Sequence, residues 1–288
     1  MTVGPTPVTS RRELAKLLRE LRTQHGLALE EVYTATGISA GFLSRVERGQ
    51  RGLGDGNAQR LCDLYRVPPT TRTRVRQLAS SGREKSWWDD KTIPPTIREY
   101  IGVEQYATSI TSYGSIIPGL FQTKAYAEAT MASTQFEAAA GLRNTAIDQR
   151  LRRQHVLDRD DPPWVHAVLD ESALHRETGG SEIMREQLDA LQRAADRPRV
   201  TIQVIPFRAG AHPGLDSRFV IVSTSEDHTP ELVHVEGLSG YRNFEKPQEL
   251  GHYARAFRVL SAAALTPTET RELVAAAITR LDRRSDDG

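Results

Sequence analysis

The chain has 288 residues, with 38 Lys and Arg against 37 Asp and Glu, and a single cysteine. One cysteine excludes an internal disulfide and a thiolate-rich zinc site, and no apolar run approaches the roughly 18 residues of a membrane span. The first residues lack the apolar core of a signal peptide. The expectations are a cytoplasmic protein, no membrane partner and length enough for two domains.

Charge is balanced overall but unevenly placed. Residues 1–85 carry 15 Lys and Arg against 8 Asp and Glu, and the remainder carries 23 against 29. An excess of positive charge at one end suits attraction to phosphates.

In chain order, Leu14, Leu17, Leu18 and Leu21 recur at helical spacing and predict an amphipathic helix from Arg11 to Gln24, stopped by His25-Gly26. Leu29–Thr36 reads as a short second helix. Gly37 supplies a tight turn, and Ser39 is an apt N-cap for a third helix. In that helix Leu43 and Val46 face inward, and Ala40, Gly41, Ser44 and Arg45 face outward. A helix, a turn with glycine and a second helix with a small or polar outer face make a helix-turn-helix. Asn57–Tyr65 gives a fourth helix, with Cys62 as a buried structural thiol. After Pro68-Pro69, Thr71–Leu78 gives a fifth.

Leu18-Arg19, Leu21-Arg22, Glu30-Glu31-Val32, Gly37-Ile38-Ser39 and Ser44-Arg45-Val46-Glu47-Arg48-Gly49 together resemble the lambda-repressor/Cro-like, or XRE-type, DNA-binding domain. The resemblance covers about residues 11–80. It implies double-stranded DNA as a partner, with the third helix in the major groove. It also implies that Glu47 pairs with Arg22 as a structural clasp rather than facing phosphates. Arg45 is the best base reader, since guanidinium fits O6 and N7 of guanine. Ser44 assists, and Ala40 and Gly41 permit close approach. Ser39, Arg48, Gln50 and Arg51 are placed for phosphates. Two departures stand out. Ala28-Leu29 replaces the usual Thr-Gln pair, and Tyr33 replaces an Ala packed between the two helices.

Residues 81–101 read as a linker, marked by Ser-Ser-Gly, Trp87-Trp88-Asp89-Asp90 and Pro94-Pro95. The paired tryptophans are expected to pin this segment onto one domain, with stacking on nucleobases as the weaker alternative. Beyond it, Val103–Ile110 reads as helix, and Ile116–Thr123 as a turn into a helix ending near Ala132. Leu142–Leu157 reads as a longer helix. Strand-like runs follow at Trp164–Leu169, Val200–Ile205, Arg218–Val222 and Leu232–Val235. A helix, Ile183–Ala195, separates the first two, and helices at 247–263 and 268–283 close the chain. The fold class is therefore multidomain: an all-α five-helix lambda-repressor-like DNA-binding domain, then a mixed α/β domain over 102–283 in a regulatory or partner-binding role.

The run Ile117-Pro118-Gly119-Leu120-Phe121-Gln122-Thr123 with Tyr126-Ala127 is similar to a signature of the WhiJ-like two-domain regulators of Streptomyces and relatives. Arg150-x-x-Arg153-Gln154, Leu169-Asp170-Glu171, Val204-Ile205-Pro206 and Gly210-x-His212 follow in the same order. This resemblance implies transcription factors, often encoded beside a small partner protein in an arrangement likened to antitoxin and toxin.

No His-Glu-x-x-His, phosphate-binding glycine loop or Gly-x-Ser-x-Gly elbow is present. The eight histidines are scattered, so no metal and no cofactor are expected, and enzyme is the minority reading, resting on Glu171 and His212. A ligand or partner site at strand ends is the stronger expectation. Glu171, His212 and Glu236 would converge there with Gln122 or Tyr126, and Arg150 and Arg153 would satisfy the carboxylates. A homodimer reading an inverted repeat, a small-molecule ligand and a small partner protein from a neighbouring gene are the remaining expectations.

Overall fold

The computed structural model describes residues 7–286, except 48, 50, 84–86, 89, 91, 135–138 and 239. The chain divides into two compact units, one up to Tyr106 and one from Ala107.

The first unit is helical: α1 (Pro7–Gln24), α2 (Leu29–Thr36), α3 (Ala40–Val46), α4 (Asp55–Leu64), α5 (Pro69–Ser81) and α6 (Pro95–Glu104). Three of these helices open with Pro in the first turn, where its fixed φ fits and its missing N–H is not needed. α1 ends at Gly26, whose φ of 66° lets Leu27 N–H return to the Arg22 carbonyl at 3.2 Å. Leu14, Leu18, Val32, Leu43, Val46, Leu61 and Leu78 form the core. Cys62 is buried among them as a free thiol, and burial pushes its pKa up. Trp88 is buried, edge-on to Tyr106 at 5.8 Å. α6 packs on α1.

The second unit is a six-stranded sheet, among the described residues, with helices on both faces. The strands are β1 (Ser109–Gly114), β2 (Trp164–Asp170), β3 (Val200–Ile205), β4 (Phe219–Ser223), β5 (Leu232–Gly237) and β6 (Gly240–Phe244), in the order β3-β2-β1-β4-β5-β6. β1 runs parallel to β2, as β2 does to β3, and the pairings from β1 to β4 and onward are antiparallel. The remaining helices are α7 (Lys124–Thr134), α8 (Ala140–Arg153), the single turn α9 (Ser172–His175), α10 (Ser181–Ala195), α11 (Pro247–Ala263) and α12 (Pro267–Asp286).

Side chains alternate across the sheet. Tyr113, Val168, Ile205, Phe219, Ile221 and Val233 meet α11 through Phe257 and Leu260. Ile202 and Val204 take the other face with α10 and α12, beside buried Leu188, Leu191 and Val274. The outer edge of β3 is occupied: Leu265 N–H donates to the Val204 carbonyl at 2.8 Å, and Val204 N–H donates to Thr270 Oγ1 at 3.1 Å.

Several sequence expectations change: residues 95–101, read as linker, open α6, and Gly240–Phe244, not read as a strand, is β6. Residues 103–110, read as helix, divide between the end of α6 and the start of β1. Ile110 pairs with Val165 on one side and Val222 on the other, and those two ladders outweigh the local helical spacing. Tyr33 is not packed between α2 and α3. It is 54 % exposed, so the ring lies on the surface and the helices keep their contact.

Leu18→Ala removes a side chain with no exposed surface from the first unit's core. It is expected to destabilise that unit by about 2–5 kcal/mol, read from faster hydrogen exchange of the α1 and α5 amides.

Candidate nucleic-acid interface and the carboxyl end of the sheet

α2 ends at Gly37, whose φ of 71° no β-branched residue would tolerate, with its N–H on the Tyr33 carbonyl at 2.8 Å. Arg60 from α4 covers the Thr36 carbonyl at 2.8 Å. Ser39 then caps α3, its Oγ accepting from Phe42 N–H at 3.3 Å. Ala28 has no side-chain oxygen, so only half of a capping box forms at α2: Glu31 accepts from the Ala28 N–H at 2.6 Å.

Leu43 and Val46 bury against the core. Gly41 and Arg45 face solvent, and Ala40 and Ser44 are half-buried. Arg45 has no hydrogen-bond or ion-pair partner among the described residues. Arg51 is exposed, and its guanidinium lies over the Phe42 ring at 4.9 Å, which limits its rotamers and holds it beside α3. Arg48 and Gln50 lie outside the described residues.

Arg22 and Glu47 form a two-pronged pair, Nε to Oε1 at 2.8 Å and NH2 to Oε2 at 2.9 Å. The remaining Arg22 nitrogen donates to the Leu27 carbonyl at 2.8 Å. Both side chains are largely shut from water, and the hydrogen bond to Glu47 raises the Arg22 pKa. One pair therefore ties the end of α1 to the end of α3. Beside it, burial pushes the Tyr65 phenol well above its usual range.

In the second unit, the carboxyl ends of β1, β2, β3 and β5 lie at the same end of the sheet. Gln122 is buried in the loop of the Ile-Pro-Gly-Leu-Phe-Gln-Thr run, donating to the Ile117 carbonyl and accepting from Arg150 NH1, both at 2.7 Å. Gln154 holds the Gly119 and Gln122 carbonyls at 2.8 Å each, and Gln187 holds Thr123 N–H and the Phe121 carbonyl. Tyr126 is buried against the same loop. The signature is thus a loop whose backbone groups are satisfied by buried side chains.

Glu171 is spent locally, accepting from Phe207 N–H at 2.6 Å and facing His175 Nε2 at 3.1 Å. Its neighbour Asp170 faces the cleft. Asp170 accepts from Ser172 N–H at 2.9 Å and lies 3.5 Å from His212 Nε2. His212 Nδ1 accepts from Gly214 N–H at 3.3 Å, and its ring stands edge-on to Tyr113 at 5.6 Å. Gly214 lies so close to the Tyr113 ring that a Cβ there would fall 2.1 Å from it. Burial pushes the Tyr113 phenol well up, and Asp170 adds to the shift.

Tyr113, Asp170 and Gly214, with Ser115, Asp216, Arg218 and Glu236, line a cleft of about 360 Å³. Glu236 lies 3.2 Å from Arg218 and 3.9 Å from His234 Nε2. Burial alone would raise the Glu236 pKa, but the fields of Arg218, Arg150, His234 and Arg153 hold it below the usual carboxylate range. The structure thus pairs Glu236 with Arg218 and His212 with Asp170, and turns Glu171 to a separate task. Arg218 and Asp170 went unnamed as site residues in the sequence, although Asp170 stands within the quoted Leu-Asp-Glu run. Among the described residues no group of three His, Cys, Asp or Glu is placed to hold a metal. No helix there is long and apolar enough to cross a membrane.

A glycine turn, a short capped helix and an uncommitted arginine facing outward are the build of a DNA-reading module. The comparisons agree on that class: a model described as a helix-turn-helix domain matches residues 13–75. A second, described as a domain of unknown function (DUF5753), matches residues 97–276, more than half of the chain. The chain belongs to the DUF5753 family. No curated protein and no solved structure matches it.

Glu47→Gln leaves Arg22 without its counter-charge and is expected to destabilise the first unit by roughly 3 kcal/mol. Arg22→Met with Glu47→Leu should recover part of that loss in the same hydrogen-exchange measurement. Acid behaviour gives a further check. A carboxyl with a lowered folded pKa contributes stability that is complete above the unfolded value, about 4.3. The contribution is lost as pH falls through the folded value. Glu236→Gln should therefore flatten the fall in thermal midpoint between about pH 5 and pH 3, with no change of slope near neutrality.

Proposed function

We propose that the chain is a sequence-specific transcriptional regulator of the WhiJ-like kind, acting in the cytoplasm as a homodimer on an inverted repeat. The observation that carries the reading is Arg45, held on α3 with a free guanidinium beyond the small surface of Ala40 and Gly41. A single helix-turn-helix reads too few bases for a useful specificity ratio, and two related by a dyad read half-sites one helical turn apart. The second unit receives a signal and biases the dimer between two spacings of its reading heads, which requires differential affinity of the signal for the two states. Binding rather than catalysis is favoured there, because the Glu171 carboxylate is already engaged and His212 holds a loop by accepting from Gly214.

A second reading is capture of a small neighbouring-gene product in the antitoxin manner, with autoregulation as a by-product. It draws support from Phe207, Leu215 and Leu238, exposed apolar side chains on connections at the same end of the sheet. Co-purification of that product with the chain, lost when Leu215 and Leu238 are changed to Ser, separates it from the sensor reading.

The first test is binding to DNA upstream of the chain's own gene, at two salt concentrations, against random competitor. Arg45→Ala should lose about 1–3 kcal/mol of discrimination at one position of each half-site. Arg51→Ala should weaken binding to every sequence and reduce the salt slope by about 1. Equal losses on all sequences for both variants would overturn this division of labour.

A further inference from the structure

The cleft at the carboxyl end of the sheet is acidic: Asp170, Asp216 and Glu236 line it against one cation, Arg218. Arg218 is committed to Glu236 at 3.2 Å. Asp216 is exposed and has no hydrogen-bond or ion-pair partner among the described residues. Asp170 takes hydrogen bonds from the N–H and hydroxyl of Ser172, which bring no counter-charge. His212, its other neighbour, accepts a hydrogen bond at Nδ1, the role of a neutral ring. A second, independent feature of the same cleft is Tyr113. It is 4 % exposed, and His212, Phe219 and the Gly214 backbone enclose its ring. Its hydroxyl makes no hydrogen bond among the described residues and opens onto the cleft. A polar group so deeply placed calls for a partner.

We propose that this cleft binds a small organic amine in its protonated form, drawn by Asp170 and Asp216 and oriented by the Tyr113 hydroxyl. An ammonium group has donors and no acceptor, which matches two carboxylates and a phenol oxygen. Charges facing each other across a protein-walled cleft attract more strongly than they do in open water. The volume of about 360 Å³ lies in the range of small-molecule sites. No group of three His, Cys, Asp or Glu among the described residues is placed to hold a metal, so the acids are set out for an organic cation rather than a bare divalent ion. Burial and the field of Asp170 keep the Tyr113 phenol protonated, so it also has a donor for a second polar group of the ligand. Arg218 stays on Glu236 and offsets part of the acidic field. The site deepens the reading of the second unit as a receiver of signals and rests on that reading for its purpose, though not for its chemistry.

The test is equilibrium dialysis of the full chain with radiolabelled putrescine and, separately, with ethanolamine, at neutral pH and fixed ionic strength. One saturable site per chain is expected for at least one of the two amines, undisturbed by 1,4-butanediol and displaced by magnesium chloride no better than by sodium chloride of equal ionic strength. Asp170→Asn, which keeps the oxygen that Ser172 uses, should weaken binding at least tenfold. Asp216→Asn and Tyr113→Phe should each weaken it several-fold, and Arg218→Gln should tighten it several-fold by releasing Glu236. Loss with Tyr113→Phe is the discriminating result, since attraction to a merely acidic surface would not register one hydroxyl. Asp216 is exposed, so its variant reports on binding without risk to the core. No saturable binding of either amine overturns the proposal, as does binding indifferent to both Tyr113→Phe and Asp216→Asn, or preferential displacement by magnesium, which would make this a metal site. DNA affinity is then measured with and without the bound amine, using Asp216→Asn to control for the amine's own binding to DNA. An amine that fills the site yet shifts DNA affinity equally in the chain and in that variant supports the site and overturns signal reception, so the two failures are told apart.

Discussion

Strand β1 pairs in parallel with β2 on one side and antiparallel with β4 on the other, and the layout of the second unit follows from that position. The parallel side sends its strand ends, with Asp170 and Pro206, to the end where β1 delivers Tyr113. The antiparallel side returns β4 from Arg218 and carries β5 up to Glu236 at the same end. Two chemistries from distant stretches of chain meet there. The parallel half contributes an acid with hydroxyls, and the antiparallel half contributes arginine with its counter-acid. A sheet of one sense alone would not bring these together in this way.

The first unit solves a different problem. A reading helix of seven residues is too short to hold its own shape. Its position is imposed from both ends, by the Gly37 turn and Ser39 cap at its start and by the Arg22–Glu47 pair at its finish. A carboxylate close to DNA would repel phosphates in the open, but Glu47 is neutralised within the protein by a guanidinium that also covers a carbonyl. The net result is a short helix fixed at both ends.

The helices of the first unit were legible because leucines at helical spacing and glycine stops are local signals. β1 was not, because Thr111 and Ser112 interrupt the apolar alternation in a strand sheltered by neighbours on both sides. β6 was missed for a related reason: Gly-Tyr-Arg-Asn-Phe is an edge strand with polar residues on it, and its pairing with β5 is what makes it a strand. At the site, Glu236, Arg150 and His212 could be named from the sequence as polar residues near strand ends or loops. Choosing Glu171 over Asp170 shows where that method stops. Adjacent residues at a strand end point different ways, and only the pairing register decides which carboxylate meets the cleft. Arg218 became visible only once β4 and β5 were aligned.

The lone thiol of Cys62 gives the first unit a built-in clock. It is buried in α4 among the residues that support the reading helix, and burial disfavours the thiolate that alkylating reagents need. Modification of the intact chain must therefore wait for an opening of that helical core. With one cysteine in 288 residues, the rate of labelling follows the breathing of the DNA-reading head and of nothing else in the molecule.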